Sequence, residues 1–234
     1  GSSEPSFSTS LNYQRADKGE AFNDADRDQV RSLSLRSSQE SSVSAPRLAL
    51  ELYAGTGVYT QALVESGLRV VKPFEIKDGA EFDLGRRSTQ ERVLQWIRSG
   101  KIWSVHLGTP CTIWSIARRG IKNQQRARDK ERAGVEAAIF SAEVIRECNR
   151  CKVFWSVENP ATSKLFQFDP IAELQALPGF HEVVFNMCMY GTDSRKPTRI
   201  WTNAPFLSGL GRRCDGQHVH TQLSGNDKVR DANA

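Results

Sequence analysis

The chain has 234 residues, 38% of them hydrophobic and 25% charged, and Lys plus Arg exceed Asp plus Glu by 32 to 27 for a net charge of +5. That length suits one α/β domain with a large core and is short for two, while a pI near 9.0 suits a polyanionic partner. No stretch approaches the roughly 20 continuous apolar residues of a membrane span and no secretory signal opens the chain; five cysteines, an odd number, fit a reducing compartment better than a disulfide framework, so an intracellular protein with no membrane partner is expected.

Residues 1–46 are rich in Ser, Asp and Arg, carry almost no apolar periodicity, and are expected to be a disordered Ser-rich tail. The leading Gly-Ser-Ser is either a cloning remnant or the cut end of a longer chain. Residues 47–234 form the expected folded domain. It opens with a buried strand at 48–53, then Ala54-Gly-Thr-Gly57, then a helix over 58–66. A glycine-rich turn between strand and helix lets a ligand approach the backbone and meet the helix N–H groups.

Residues 69–75 read as the second strand with Glu75 at its carboxyl end, the place where a nucleoside-binding fold sets a carboxylate for the ribose hydroxyls; the alternative is one more solvated Glu. Asp83 either hydrogen-bonds the ligand's base or serves as a turn residue. Ser88-Thr-Gln-Glu91 has capping-box spacing and starts a helix that runs to Ser99-Gly100. A strand at 101–107 follows, ended by Gly108 and Pro110, so that Cys111 falls just past a strand's carboxyl end, the edge at which open α/β sheets bind ligands.

A cysteine there is either a small buried hydrophobe or a nucleophile. Its company favours the second, because residues 153–157 read as another strand ending at Glu158-Asn-Pro160, which puts an acid at the same edge. Between the two lies the run from Arg118 to Arg132, seven bases against two acids. It reads either as a solvated helix face or as a flexible loop in which Arg118, Arg119, Lys122, Arg126 and Arg128 clamp phosphates. A helix over 133–151 is expected to bury Val135, Ile139, Ala142 and Ile145, and its Cys148/Cys151 pair has neither a second pair nor the helix-opening position of a redox site.

Short helices at 161–166 and 169–177 precede strands at 181–190 and 198–203. This order predicts an α/β fold, a Rossmann-like doubly wound sheet with an antiparallel terminal hairpin. Near the end, Cys214, His218 and His220 join Cys188 as four residues of ligand type, either a structural zinc site or a surface loop with two histidines, since the spacing matches no standard finger.

These motifs together resemble the DNA (cytosine-5) methyltransferase family over residues 48–203. Leu52-Tyr-Ala-Gly-Thr-Gly57 is similar to the family's cofactor loop, Thr109-Pro-Cys111 to its catalytic Pro-Cys motif, and Glu158-Asn-Pro160 to the motif that carries its acid. Tyr190-Gly-Thr-Asp-Ser-Arg-Lys-Pro-Thr-Arg199 is similar to its Tyr-Gly-x-x-Gln-x-Arg-x-Arg segment.

The resemblance implies a class I S-adenosylmethionine-dependent methyltransferase that methylates carbon 5 of cytosine through a Cys111 adduct. Glu158 would be the acid, with Arg195 and Arg199 supporting the pocket. S-adenosyl-L-methionine would be held by Tyr53, Ala54, Gly55, Gly57, Glu75, Asp83 and Pro110. The implied partner is nucleic acid, DNA favoured over RNA, in the nucleus if DNA is the substrate.

Thr112 and Ser194 stand where the family usually has Gln, and the stretch after Asn203 is too short for a target recognition domain. The chain looks most like the compact methyltransferase domains carried in some retroelement polyproteins, in which a partner or flanking domains would supply target recognition. The competing expectations are an inactive cofactor- or nucleic-acid-binding module of the same fold and an RNA cytosine methyltransferase.

Overall fold

A computed structural model describes residues 48–115 and 124–221. The expected tail at 1–46 lies outside the described residues, as do Arg118, Arg119 and Lys122. Five strands, β1 (Leu48–Leu52), β2 (Ile102–Leu107), β3 (Phe154–Pro160), β4 (His181–Asn186) and β5 (Pro197–Thr202), form one sheet in the order β1-β2-β3-β5-β4. β1, β2 and β3 are parallel; β5 runs antiparallel between β3 and β4. This is a mixed α/β sheet, parallel over its first three strands and closed by an antiparallel terminal hairpin, as expected of a Rossmann-like arrangement. Among the described residues no helix is long and apolar enough to cross a membrane.

Alternation along the strands assigns the two faces. Leu50, Leu52, Val105, Leu107, Trp155 and Val157 share one core with Val93, Leu94 and Ile97 of α2 (Arg87–Arg98) and Ala138, Ile145 and Cys148 of α3 (Gln124–Arg150). On the other face Glu51 accepts the Thr60 backbone N–H of α1 (Val58–Glu65) at 2.9 Å, Tyr59 stacks on His106 at 4.2 Å, and His106 Nδ1 lies 2.8 Å from Ser156 Oγ. Glu158, two residues beyond Ser156 on β3, belongs to that second face.

The chain winds outward from β1 through α1 and returns through α2 to β2 on its opposite side. The winding reverses between β1 and β2, so the turns that follow these two strands flank the natural crevice of the sheet.

Several expected elements differ from those observed. The expected second strand makes only isolated parallel bridges, Ala49 with Val70 and Leu52 with Phe74. Pro73 has no N–H for the next rung; Phe74 N bonds Glu51 O instead, and the ladder slips by a residue. The capping box does not form, because α2 begins at Arg87 with Arg86 as its N-cap and no side-chain cap bond, which leaves Ser88 inside the first turn. β3 runs on through Glu158 to Pro160 because β5 supplies ladder partners beyond the end of β2.

The expected strand at 181–190 gives way after Asn186 to a 3-10 turn, Met187–Tyr190. In α3 the expected Ala142 and Ile145 are buried, joined by Gly134, Ala138, Ser141 and Cys148, whereas Val135 is half-buried and Ile139 is 49% exposed. A Cβ at Gly134 would lie 2.7 Å from Ile113, so the bare glycine is what lets the segment after Cys111 pack on this helix.

Gly108 makes the tightest crossing. A Cβ there would meet the Tyr53 carbonyl oxygen at 2.9 Å, and Gly108 N donates to Leu52 O at 3.0 Å. Gly108→Ala is therefore expected to push the two turns apart and cost about 1–3 kcal/mol, the scale of an overpacked site. Denaturant titration checks this; an unchanged midpoint would mean that the crossing has room to give.

Candidate active site

The segment Gly108-Thr-Pro-Cys111 leaves β2 and is caught at once by two neighbours. Asn159 Nδ2 on β3 donates to the Thr109 carbonyl at 2.7 Å, and Thr109 Oγ1 lies 2.8 Å from Ser141 Oγ on α3. All three residues are buried. Beyond Cys111 the backbone tightens into a turn in which Trp114 N and Ser115 N both donate to Cys111 O at 3.0 Å, and the Trp114 ring packs against Phe168 at 5.0 Å. Cys111 is thus placed by a strand end, a helix and a closed turn.

Three charge-bearing groups converge here. Burial pushes the Glu158 carboxyl above its ordinary range, against the pull of Lys196. Burial also pushes the Cys111 thiol up, the nearby Glu158 adds to that rise, and Lys196 opposes it. Cys111 is therefore a thiol in the unliganded chain at neutral pH rather than the readily ionised group that a nucleophile suggests. Cys148, fully buried on the core face of α3, is raised well above the ordinary thiol range by its own burial.

Lys196, missed in the sequence, is the cation that acts on both groups among the described residues. The motif directs attention to its arginines, but Arg199 sits across from Asn159, on the face opposite Glu158, where it pairs with Glu182 at 3.3 Å and lies over Phe166 at 5.2 Å. Arg195 is exposed and its charge acts on Cys188, not on the Cys111 crevice. Lys196 stands at the edge because β5 starts at Pro197, beside the end of β3.

The glycine turn follows β1 with Tyr53, Gly55 and Gly57 all at positive φ, 57°, 59° and 72°. Glu75 Oε2 accepts the Gly55 N–H at 2.8 Å, so the expected ribose acid also braces the loop. A Cβ on Gly57 would meet nothing within 4 Å. Tyr53 turns away, its hydroxyl donating to Ala137 O at 3.3 Å. Asp83 closes a turn, accepting from Gly85 N at 2.9 Å and lying 3.6 Å from Arg86 Nε. A second acid that the sequence reading passed over, Glu51, is buried beneath this turn; an acid inside a fully buried strand was its signal.

The basic run is helical rather than a loop from Gln124 onward. Arg126 and Arg128 are exposed on the first turns of α3. A groove of about 200 Å³ lined by Pro110, Thr112, Ile113, Lys130, Ala133 and Gly134 joins that helix to the Pro-Cys turn. Lys130 thus belongs with the other bases.

Farther along the same sheet edge, ligand atoms of Cys188, Cys214, His218 and His220 all lie within 4.8 Å of one another.

No protein-family model matches the chain, and no curated protein matches it. Among solved structures it is similar to a DNMT2 mutant from Spodoptera frugiperda, at 16% identity over 77% of this chain and 56% of that one, with a TM-score of 0.41. The chain thus spans little more than half the length of that protein. At that level the functional reading has to rest on the side chains described above.

His106 offers a test of the second face. Burial lowers its pKa from 6.5 to about 4, so the folded state keeps the ring neutral while the unfolded chain protonates. Between pH 6.5 and 4 the unfolded state binds more protons, so this residue makes stability fall as pH falls through that window, by an amount on the order of 2–3 kcal/mol. Glu51 and Glu158 are raised and act in the opposite sense, so the comparison must be made against a variant. The stability difference between wild type and His106→Gln should shrink from pH 7 to pH 4.5; a constant difference would mean that the ring is not desolvated.

Proposed function

We propose that this chain is an S-adenosylmethionine-dependent methyltransferase acting on carbon 5 of cytosine in nucleic acid, with DNA the favoured substrate. The observation that carries this reading is the joining of Cys111 and Glu158, towards the carboxyl ends of β2 and β3, with Lys196, which stands just before the amino end of the antiparallel β5. Carbon 5 of cytosine is a poor nucleophile, and a thiolate added to carbon 6 while an acid protonates nitrogen 3 makes it a good one. A carboxyl whose hold on its proton is strengthened by desolvation suits the acid's task.

In this scheme Cys111 loses its proton to water under the influence of Lys196, and its sulfur forms the bond to carbon 6. Glu158 gives its proton to nitrogen 3. When Glu158 meets the base as a neutral acid, its charge no longer opposes ionisation of Cys111. Bound S-adenosylmethionine supplies the methyl group for carbon 5. When a base then removes the carbon 5 proton, the carbon–sulfur bond breaks and nitrogen 3 returns its proton to Glu158. In a duplex the cytosine has to leave the stack to reach these groups.

The cofactor would lie on the turn at Gly55 and Gly57. The open side of Gly57 leaves room for it, and Glu75 offers its carboxylate to the ribose. Exposed Arg126 and Arg128, with Lys130 at the groove and the remaining bases Arg118, Arg119 and Lys122, would meet the phosphate backbone. Glu75→Ala should weaken S-adenosylhomocysteine binding in calorimetry by tenfold or more, a figure of about 1.4 kcal/mol. Equal affinity in the variant would take Glu75 out of the cofactor site.

One observation favours the competing module that binds without turnover: the thiol of Cys111 is raised, not lowered. Covalent trapping on 5-fluorocytosine in duplex DNA, single-stranded DNA and tRNA separates the readings. Wild type should form an adduct, Cys111→Ala should form none while keeping its melting temperature, and Glu158→Gln should slow transfer by about 100-fold or more. An adduct on tRNA alone would move the substrate to RNA. No adduct on any of the three, with cofactor bound, would leave a binding module.

A further inference from the structure

Cys188 lies in the 3-10 turn after β4, whereas Cys214, His218 and His220 come from a segment that no regular element holds. The fold nevertheless brings them together by identifiable contacts. Asn186, buried at the end of β4, donates its N–H to Arg212 O at 3.0 Å and accepts the Cys214 N–H on Oδ1 at 2.9 Å, which lays the segment against Cys188. Gly216 at φ 79° turns the chain back so that both histidines face the same sulfur.

The resulting distances are those of a coordination shell. Cys214 Sγ lies 3.4 Å from His220 Nε2 and 3.8 Å from His218 Nε2. Zinc–nitrogen and zinc–sulfur bonds of about 2.0–2.3 Å set at tetrahedral angles give ligand–ligand edges of about 3.3–3.8 Å. The whole quartet lies within 4.8 Å, which is within a small side-chain adjustment of that figure. Two thiols and two imidazoles are the soft and borderline donors that zinc selects, and four of them complete a closed structural site.

The surroundings fit as well. Gly216 N donates to Cys214 Sγ at 3.3 Å, a bond that stabilises a thiolate. Asp215 Oδ1 lies 3.9 Å from His218 Nδ1, the ring nitrogen not facing sulfur, on the side where a metal-bound histidine usually finds its carboxylate. Among the described residues no other group of three or more such side chains converges in this way.

We propose that Cys188, Cys214, His218 and His220 bind one zinc ion, and that this zinc clips the segment at 212–221 onto the terminal hairpin. The clip also grips the turn between β4 and β5. Thr221 N donates to Asp193 O at 2.8 Å, and Met187 N donates to Arg195 O at 3.1 Å, so the turn that carries Lys196 is bonded on two sides to elements that the metal joins. The site is structural, with no open position for substrate, and stands whether or not Cys111 turns over.

The test uses the full chain, purified without added chelator and dialysed against metal-free buffer. Elemental analysis should find one zinc per chain in wild type and in Cys151→Ser, and almost none in Cys214→Ser or His220→Ala. Cobalt(II) added to the demetallated protein should give the visible bands of a tetrahedral site together with a thiolate charge-transfer band. Because a lost ligand can also unfold the segment, His220→Cys is included: it exchanges one zinc ligand for another and should keep one metal while strengthening the charge-transfer band. Zinc far below one per chain in wild type would overturn the proposal. So would equal metal content in wild type and Cys214→Ser, or an intact mass showing a Cys188–Cys214 disulfide.

Discussion

The hydrogen bond from Asn159 to the Thr109 carbonyl, backed by the Thr109–Ser141 hydroxyl pair, is the constraint on which the rest of the site depends. It joins β3, the turn after β2 and α3 at one buried point. A typical hydrogen bond contributes only about 1 kcal/mol, but a buried carbonyl left without its donor costs about 1–3 kcal/mol, so the knot is worth more as a requirement than as an attraction. With Asn159 turned to the α3 face to make this bond, strand alternation sends Glu158 to the opposite face. The knot that fixes the thiol's turn thereby also aims the acid.

Burial then decides how these groups behave. The same desolvation that raises the Glu158 carboxyl raises the Cys111 thiol, which helps an acid and hinders a nucleophile. Lys196 is the group that offsets the second effect. An arginine in its place would carry a broader, more rigid fork, whereas a lysine brings a compact charge on a flexible stem to a crowded edge. The two arginines that flank it do other work: Arg199 pins β5 to β4 through Glu182 and covers Phe166, and Arg195 faces solvent near Cys188.

The crevice and the Cys/His quartet are linked through the terminal hairpin. β5 is the antiparallel strand inserted between β3 and β4, so its first residue, Pro197, reaches the edge at which β3 ends, and the turn before it spans from the crevice to Cys188. An order β3-β4-β5 would have carried Lys196 one strand away from Glu158. At the other end of the site, the bases of α3 present a face to whatever lies over the Pro-Cys turn, and Lys130 reaches the groove between them. That arrangement lets one helix serve both the core, through Gly134 and Ser141, and a polyanion.

Periodicity and punctuation in the sequence determined most of the fold by themselves. Continuous apolar runs stopped by Gly or Pro gave β1, β2 and the ends at which Gly55, Cys111 and Glu158 lie, and the late pair of alternating runs gave the hairpin. These are local signals, because a strand's burial and a turn's φ are written in the residues that adopt them. What only the tertiary structure decided was set by neighbours distant in sequence. Pro73 spoils a ladder only because β1 lies opposite it, and β3 extends to Pro160 only because β5 pairs with it. Lys196 rather than Arg199 belongs to the crevice because strand register assigns the faces. Cys188 meets Cys214, His218 and His220 because Asn186 binds a segment 26 residues further on, a pairing that no spacing rule encodes.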